Sequence, residues 1–386
     1  MSWRPRRPAA PPASPGATRF RCINSLPRSN ALRPRGGAST STRDRTQMKP
    51  LTLGVVGIDH RHIYGQLEGM QALGCTCKGW WTEGEPQPVE GFVKRFPDVP
   101  RVADRQALLD DPEIDMILIA DIPARRADRA IEAMRAGKDV MTDKPGCTTL
   151  DQLDALRACV AETGRIWSID FSERFEVPAV TKAAELVAAG EIGTVVQTVG
   201  LGPHRLNRPT RPDWFFDEAA YGGILTDIAS HQVDQFLFFT GSTEAEIVTS
   251  SVGNFANPED PGLQDFGEIM LRSDTGQGYI RVDWYTPDAL PNWGDGRLTI
   301  LGTEGYIELR KYVDVAGREG TDHLFLVNKT RCEYIDASDA PLPYFESLIR
   351  DVNDRTETAM GQAHCFKVME LALKAQAQAA RLGHLA

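Results

Sequence analysis

No apolar run in this 386-residue chain approaches the roughly 18–20 residues that a membrane-spanning helix requires. Its longest apolar stretches, such as Met116–Ala120, are strand-sized and lie among charges. The chain also lacks any CxxC pair. Its seven cysteines (Cys22, Cys75, Cys77, Cys147, Cys159, Cys332 and Cys365) are odd in number and scattered, which argues against a disulfide framework or a zinc ribbon. Reduced thiols in a cytoplasmic compartment are the simplest reading, and no metal is expected. Cys147 lies close to Lys144 but has no histidine beside it in sequence, so a nucleophilic role is disfavoured. Neither a fixed-period repeat nor a secretory apolar segment is present.

Charge is unevenly spread. Residues 1–47 hold ten arginines and one acid, Asp44, and so carry about +9; with a net charge of −10, the remainder carries about −19. So acidic a body is a poor partner for nucleic acid, because neutralising phosphates needs a basic face. The first 47 residues also contain seven prolines and almost no apolar periodicity, so they cannot bury enough surface to order themselves. A transit-like peptide, a nucleic-acid arm and an upstream extension without a role in the fold all suit this composition. The last is favoured, with Met48 as effective start, because a buried strand begins just after it.

From Leu51 the pattern is βαβ. Strands are expected at Leu51–Val56, Cys75–Trp81, Met116–Ala120, Asp139–Thr142 and Ile166–Phe171. Helical patterns fall between them at His60–Leu73, Val89–Phe96, Arg105–Leu109, Ala124–Ala136 and Leu150–Glu162. Such alternation predicts a parallel, doubly wound sheet over residues 48–172. After about residue 172 the rhythm changes. Helices are expected at Pro178–Ala189 and Ile224–Phe239, with a Pro/Arg-rich loop before the second. Strands then follow one another from Ile247 to Tyr334, and the end is helical through Val368–Arg381. Residues 173–386 therefore read as an α+β domain with a large, open, mainly antiparallel sheet.

Gly54-Val-Val-Gly57-Ile58-Asp59-His60-Arg-His62 occupies the strand-to-helix turn where a dinucleotide fold places its glycine fingerprint. Gly57 supplies the tight turn, but Asp59 and His62 stand at the second and third glycine positions. An Asp facing a pyrophosphate repels it, so the phosphates must be held differently; His60 and His62 are candidate donors or plain helix-start residues. At the end of the second strand, Thr82 and Glu83 are placed to meet an adenosine ribose. Glu83, with no following arginine, favours NAD over NADP.

Two later segments are more specific. Asp143-Lys144-Pro145 follows a strand at the carboxyl edge of the parallel sheet, where ligands bind in such folds. Gly222-Gly223-Ile224-Leu225-Thr226-Asp227-Ile228-Ala229-Ser230-His231 opens a helix, and Asp227 and His231, four apart, are expected on one side of it. A lysine, an aspartate and a histidine so placed suit oxidation of a secondary alcohol. His231 would be the general acid/base, because imidazole titrates in the right range. Lys144 would donate to the substrate oxygen, and Asp227 would orient or tune either partner. The bland alternative is a salt-bridged helix with no catalytic task.

These motifs resemble the Gfo/Idh/MocA family, the relatives of glucose–fructose oxidoreductase and inositol 2-dehydrogenase, over about residues 50–385. Its E-K-P appears as Asp143-Lys144-Pro145, and its GGxLxDxxxH helix is complete. Asp121-Ile122 and Arg126 depart from the residues common in relatives. The resemblance implies a Rossmann domain, an open-sheet domain and a cleft between them, with the C-terminal helix able to pack back on the first domain. It implies a cofactor site at Gly57, Ile58, Asp59, His60, His62, Thr82, Glu83, Ala120, Ile122, Asp143 and Lys144. Substrate would meet Lys144, Arg174, His204, Arg205, Arg211, Trp214, Asp227 and His231. It points to an NAD(P)-dependent oxidoreductase acting on a hydroxyl of a sugar, sugar derivative or cyclitol, as a homo-oligomer joined through the open sheet. Redox-neutral cleavage, elimination or epimerisation with retained NAD, and a non-catalytic sugar or cofactor sensor, remain open alternatives at this point.

Overall fold

The computed structural model describes residues 48–385; the expectation of a disordered extension over 1–47 lies outside them. The first half runs β1 (Thr52–Ile58), α1 (Ile63–Ala72), β2 (Thr76–Trp81), α2 (Pro88–Arg95), α3 (Gln106–Leu109), β3 (Met116–Ala120), α4 (Pro123–Arg135), β4 (Asp139–Asp143), α5 (Leu150–Thr163) and β5 (Trp167–Asp170). Its five strands are parallel in the order β2-β1-β3-β4-β5. Every residue of β3 is buried, as a central strand covered on both faces requires. Helix α4 starts on Pro123 and buries Ala127, Ala130, Ala133 and Met134. Helix α5 is capped by Thr149, whose side chain accepts from the Gln152 amide, and ends on Gly164 in the left-handed region. The strand order reverses between β1 and β3, so their carboxyl ends open a crevice, the usual ligand position in such sheets.

The second half comprises α6 (Ser172–Phe175), α7 (Pro178–Ala188), β6 (Val195–Pro203), α8 (Glu218–Tyr221), α9 (Ile224–Asp227), α10 (Ser230–Thr240), β7 (Glu246–Asn254), β8 (Phe266–Arg272), β9 (Gln277–Asp283), β10 (Arg297–Gly302), β11 (Gly305–Arg310), β12 (His323–Asn328), β13 (Cys332–Asp336), α11 (Tyr344–Asp354), α12 (Gln362–Gln378) and β14 (Ala380–Gly383). Nine strands form one sheet in the order β13-β12-β11-β10-β6-β9-β8-β7-β14. Pairing is antiparallel except for β6 with β9 and β7 with β14. One face is covered by α10 and α7, with Phe236, Val233 and Val180 in the buried layer. From the other end, Gln362 of α12 exchanges two hydrogen bonds of 3.1 Å with the Trp167 backbone of β5.

Four local expectations need correction. Residues 59–62 form a turn, and α1 begins only at Ile63. The helix expected over Ile224–Phe239 is broken at Ile228–Ala229. There the amides of Ile228 and Ala229 both donate to the Ile224 carbonyl, and His231 donates to Ile228. The Ala-rich C-terminal helix stops at Gln378, and Ala380–Gly383 instead pairs with β7, covering what would otherwise be an open edge. The run of strands extends past its expected end at Tyr334, since β13 continues to Asp336 at the opposite, largely exposed edge. No helix among the described residues is long and apolar enough to cross a membrane.

Candidate active site

A cavity of about 810 Å³ lies over the carboxyl edge of the parallel sheet and reaches the loop after β6. Its floor is the β1–α1 turn. Gly57 has φ +83°, and a Cβ there would come within 2.4 Å of the Asp121 side chain; only glycine lets β1 turn this tightly against the end of β3. The amides of Asp59 and His60 both donate to the Ala120 carbonyl, at 2.9 and 3.1 Å. Ile58 is buried and donates to Thr82 Oγ1 at 3.0 Å. Thus Gly57, Ile58, Thr82 and Ala120 build the turn from beneath, whereas Asp59, His60, His62, Glu83 and Ile122 line the cavity itself.

Asp59 is pushed up to about 7 by burial and by the neighbouring Asp121. That lowers its charge near neutrality and answers part of the objection to an acid at a phosphate turn. His60 and His62 do not act as free donors. Their Nδ1 atoms face the buried carboxylate of Asp143, at 3.1 and 2.9 Å, and Arg126 donates to the same carboxylate at 3.0 Å. Burial would raise the Asp143 pKa, but these partners outweigh it and hold the group well below the ordinary carboxylate range. Burial and His62 push His60 down to about 4. The metal-binding atoms of His60, His62 and Asp143 lie within 4.8 Å of one another, so a cation could be held there. It would have to compete with the existing pairing, since both Asp143 oxygens are already engaged.

Lys144, after β4, donates from Nζ to Asp227 Oδ1 at 3.0 Å. The Lys144–Pro145 peptide is cis. Burial opposes ionisation of Asp227, but Lys144 outweighs it and lowers the carboxyl pKa. Both residues line the cavity. His231 does not belong to that lining: it is 3% exposed, and its Nδ1 is buried without a partner. Nor does it titrate near neutrality as expected, because burial drives it down to about 3. The imidazole is therefore neutral at physiological pH.

The loop after β6 supplies the opposite wall. His204, Arg205, Arg211 and Trp214 line the cavity as the sequence suggests. Arg174 does not. Its guanidinium grips buried Asp234 through two hydrogen bonds of 2.6 and 2.7 Å, packs against Phe175 and Phe238, and borders a separate cavity of about 220 Å³. Proximity to the end of β5 suggested the cleft; the ion pair pulls the side chain elsewhere. Cys147 is fully buried and its thiol is pushed far up by that burial, leaving it inert.

Among the cavity residues that the sequence pattern does not single out are two arginines and two tryptophans. Arg125 donates to Glu83 at 2.9 Å, bringing a guanidinium to the ribose-reading position from the first turn of α4. Arg61 meets only Gln87, at 3.1 Å, among the described residues. Trp284 and Trp293 flank His204, with ring centroids at 5.2 and 4.6 Å. No spacing rule links these positions; Arg125 alone was within reach, as the first turn of a helix beside the crevice.

The site fits a nicotinamide dinucleotide. A glycine turn at the switch point, a carboxylate at the second strand's end and a cavity of sufficient size all occur together. Comparison with known proteins agrees. An oxidoreductase family model with an NAD-binding Rossmann fold matches residues 85–171, and the GFO/IDH/MocA C-terminal domain matches 180–308. The scyllo-inositol 2-dehydrogenase (NAD(+)) of Bacillus subtilis is 23% identical over 317 residues, covering 79% of this chain and 87% of that protein. The levoglucosan dehydrogenase of Pseudarthrobacter phenanthrenivorans is 28% identical, over 52% of each chain. Among solved structures, a candidate oxidoreductase from Erwinia carotovora atroseptica is 45% identical with a TM-score of 0.84, covering 86% of this chain and 100% of that one.

Proposed function

Because this chain belongs to the Gfo/Idh/MocA family and is an NAD(P)-dependent dehydrogenase, we propose that it oxidises a secondary hydroxyl of a sugar or cyclitol at the Lys144–Asp227 pair. The observation that carries this reading is that pair: an ammonium held 3.0 Å from a carboxylate in the wall of the dinucleotide crevice. The bound dinucleotide supplies the hydride acceptor. Lys144 donates a hydrogen bond to the substrate oxygen and stabilises negative charge as its proton leaves. Asp227 holds the ammonium in place. In this scheme the hydroxyl proton goes to His231, a role that its motif position proposes and its burial opposes. The imidazole lies outside the cavity lining with its pKa driven down to about 3, so it takes the proton only where bound substrate reaches it.

On the dinucleotide side, Glu83 accepts from the ribose hydroxyls and favours NAD. Arg61 faces the pyrophosphate, doing the work that the spent amides of Asp59 and His60 cannot. A second copy of the chain covers the sheet's outer face, where Leu301 and Tyr306 stand exposed on the paired strands β10 and β11, and Met270 on β8. The inositol and levoglucosan dehydrogenases among the relatives support a ring polyol as substrate. A panel of sugars and cyclitols with NAD or NADP, followed at the nicotinamide absorbance, tests the reading: reduction by at least one ring polyol is expected, lost on Lys144→Ala.

A further inference from the structure

Six lysine and arginine side chains line the main cavity, and three of them are matched by carboxylates: Arg125 by Glu83, Arg126 by Asp143 and Lys144 by Asp227. Arg61 and Arg211 have no carboxylate partner among the described residues. Arg205 faces only exposed Asp288, 3.6 Å from its Nε and beyond hydrogen-bond reach, and that Nε is buried without a partner. The remaining lining acids do not balance these cations. Glu85 is taken by Arg101, Asp59 is only partly charged near neutrality, and Asp213 is exposed. The wall therefore carries positive charge that nothing among the described residues neutralises.

Arg211 is the cation of this wall best prepared to hold a ligand. Its Nε donates to the Leu206 carbonyl at 2.7 Å and its Nη2 to the Arg205 carbonyl at 3.0 Å, which ties one edge of the guanidinium to the loop after β6. Its carbon lies 4.6 and 4.9 Å from the ring centroids of Phe215 and Trp284, both buried. The Nη1 protons and the second Nη2 proton remain, and they form a planar fork on the opposite edge. Burial pulls the group down to about 10, with Asp227 opposing and Arg61 adding to the fall, so it stays charged at neutral pH. Asp227 is thus the charge that acts on Arg211 most strongly, which sets the free fork beside the Lys144–Asp227 pair in the same cavity. A desolvated guanidinium without a counter-charge is costly, and an anion on its fork relieves that cost. A carboxylate fits such a fork with both oxygens, whereas the second charge of a phosphate would be repelled by Asp227.

We propose that Arg211 is a carboxylate anchor, and that the substrate is a ring polyol bearing one carboxylate, such as a uronic acid or a cyclitol carboxylate. This rests on the dehydrogenase reading for the reaction, and adds to it the charge of the substrate and the residue that reads it. The test is calorimetry of the NAD-loaded full chain with a panel of pyranuronates and cyclitol carboxylates, each beside its carboxamide, and with glucose 6-phosphate. At least one carboxylate should bind at least about tenfold more tightly than its carboxamide, the size expected of one charge-assisted fork. Arg211→Gln keeps a donor for a loop carbonyl and removes the charge. It should erase that preference and bind NAD as wild type does. A purely structural Arg211 would weaken acid and amide alike, so a preference that survives in Arg211→Gln overturns the proposal even where the loop is loosened. Carboxamides that bind as tightly as every acid, or glucose 6-phosphate binding more tightly than any carboxylate, would overturn it too. So would a loss of NAD affinity in Arg211→Gln as large as the loss of acid affinity, which would assign the fork to the pyrophosphate. Nicotinamide absorbance recorded in parallel separates the two claims. Acids that bind with the expected preference but are never oxidised would sink the dehydrogenase reading alone, whereas neutral rings turned over with a kcat/KM equal to that of the acids would sink this one alone.

Discussion

Lys144 Nζ and Asp227 Oδ1 meet at 3.0 Å across 83 residues of sequence, joining the end of β4 to the start of the helix pair α9–α10. The two side chains are 5% and 14% exposed, so each is the other's principal charge partner in a nearly dry wall. Removing one leaves the other buried and unpaired, typically worth about 3–5 kcal/mol of stability. Lys144→Ala and Asp227→Ala should therefore lower the melting temperature as well as turnover. The double variant should be no slower than the worse single one, since groups acting as a unit do not contribute separably. Thermal melts and steady-state rates on the three variants check both points. Multiplicative loss in the double variant would separate the residues' roles.

Asp59 gives the site a pH dependence whose sign can be worked out. Its folded pKa, about 7, is raised above the ordinary 3.8 by burial and by Asp121. The folded state therefore holds a proton that the unfolded chain has lost, and stability falls as pH rises from about 4 to about 7. Above about 7 the acid is charged beside the pyrophosphate position, so NAD affinity should weaken there. Asp59→Asn should flatten both trends. Calorimetric titration with NAD at pH 6 and at pH 8.5 would show it, and an unchanged wild-type affinity across that range would remove Asp59 from the phosphate side.

Cofactor choice turns on Glu83 and the guanidinium 2.9 Å away on Arg125. Glu83→Gln removes the carboxylate that opposes a 2′-phosphate and frees Arg125 to meet one. The ratio of kcat/KM for NAD over NADP should fall by about tenfold, on the order of 1.4 kcal/mol. Arg125→Ala in the same background should restore the NAD preference; no response in either variant would place the ribose elsewhere.

Gly57→Ala should be poorly tolerated. The new methyl would meet the Asp121 side chain at 2.4 Å and its backbone at 2.6 Å, at a φ of +83° that L-residues rarely adopt. A loss of about 1–3 kcal/mol or more is expected from backbone strain alone. Chemical denaturation, with NAD affinity measured alongside, would detect it.

Much of this was legible beforehand, for physical reasons. Parallel strands such as Met116–Ala120 are buried on both faces and read as unbroken apolar runs. Lys144 and Asp227 were legible because their motifs carry polar groups where a core pattern predicts apolar ones. What escaped depends on packing at long range. The break at Ile228–Ala229 leaves no mark in a helix-favouring sequence. The pairing of Ala380–Gly383 with β7 is invisible in an Ala-rich stretch. Arg174 was misplaced because nothing near it in sequence reveals Asp234, sixty residues on. Trp293 entered the site through a loop whose course is set by contacts to His204 and Tyr312, not by its own residues.

The central claim is that the Lys144 ammonium acts on the oxygen of a ring polyol. Its most direct test is nicotinamide reduction by wild type and by Lys144→Ala, at saturating NAD and polyol, with NAD affinity measured on both. Loss of one positioned acid–base or charge-stabilising group typically costs about 10²–10⁴-fold in rate. The account predicts a fall of that size in kcat with NAD affinity nearly unchanged, because the dinucleotide is held mainly by the turn and by Glu83. A Lys144→Ala enzyme that keeps more than about a tenth of the wild-type rate, far above that expectation, would contradict it.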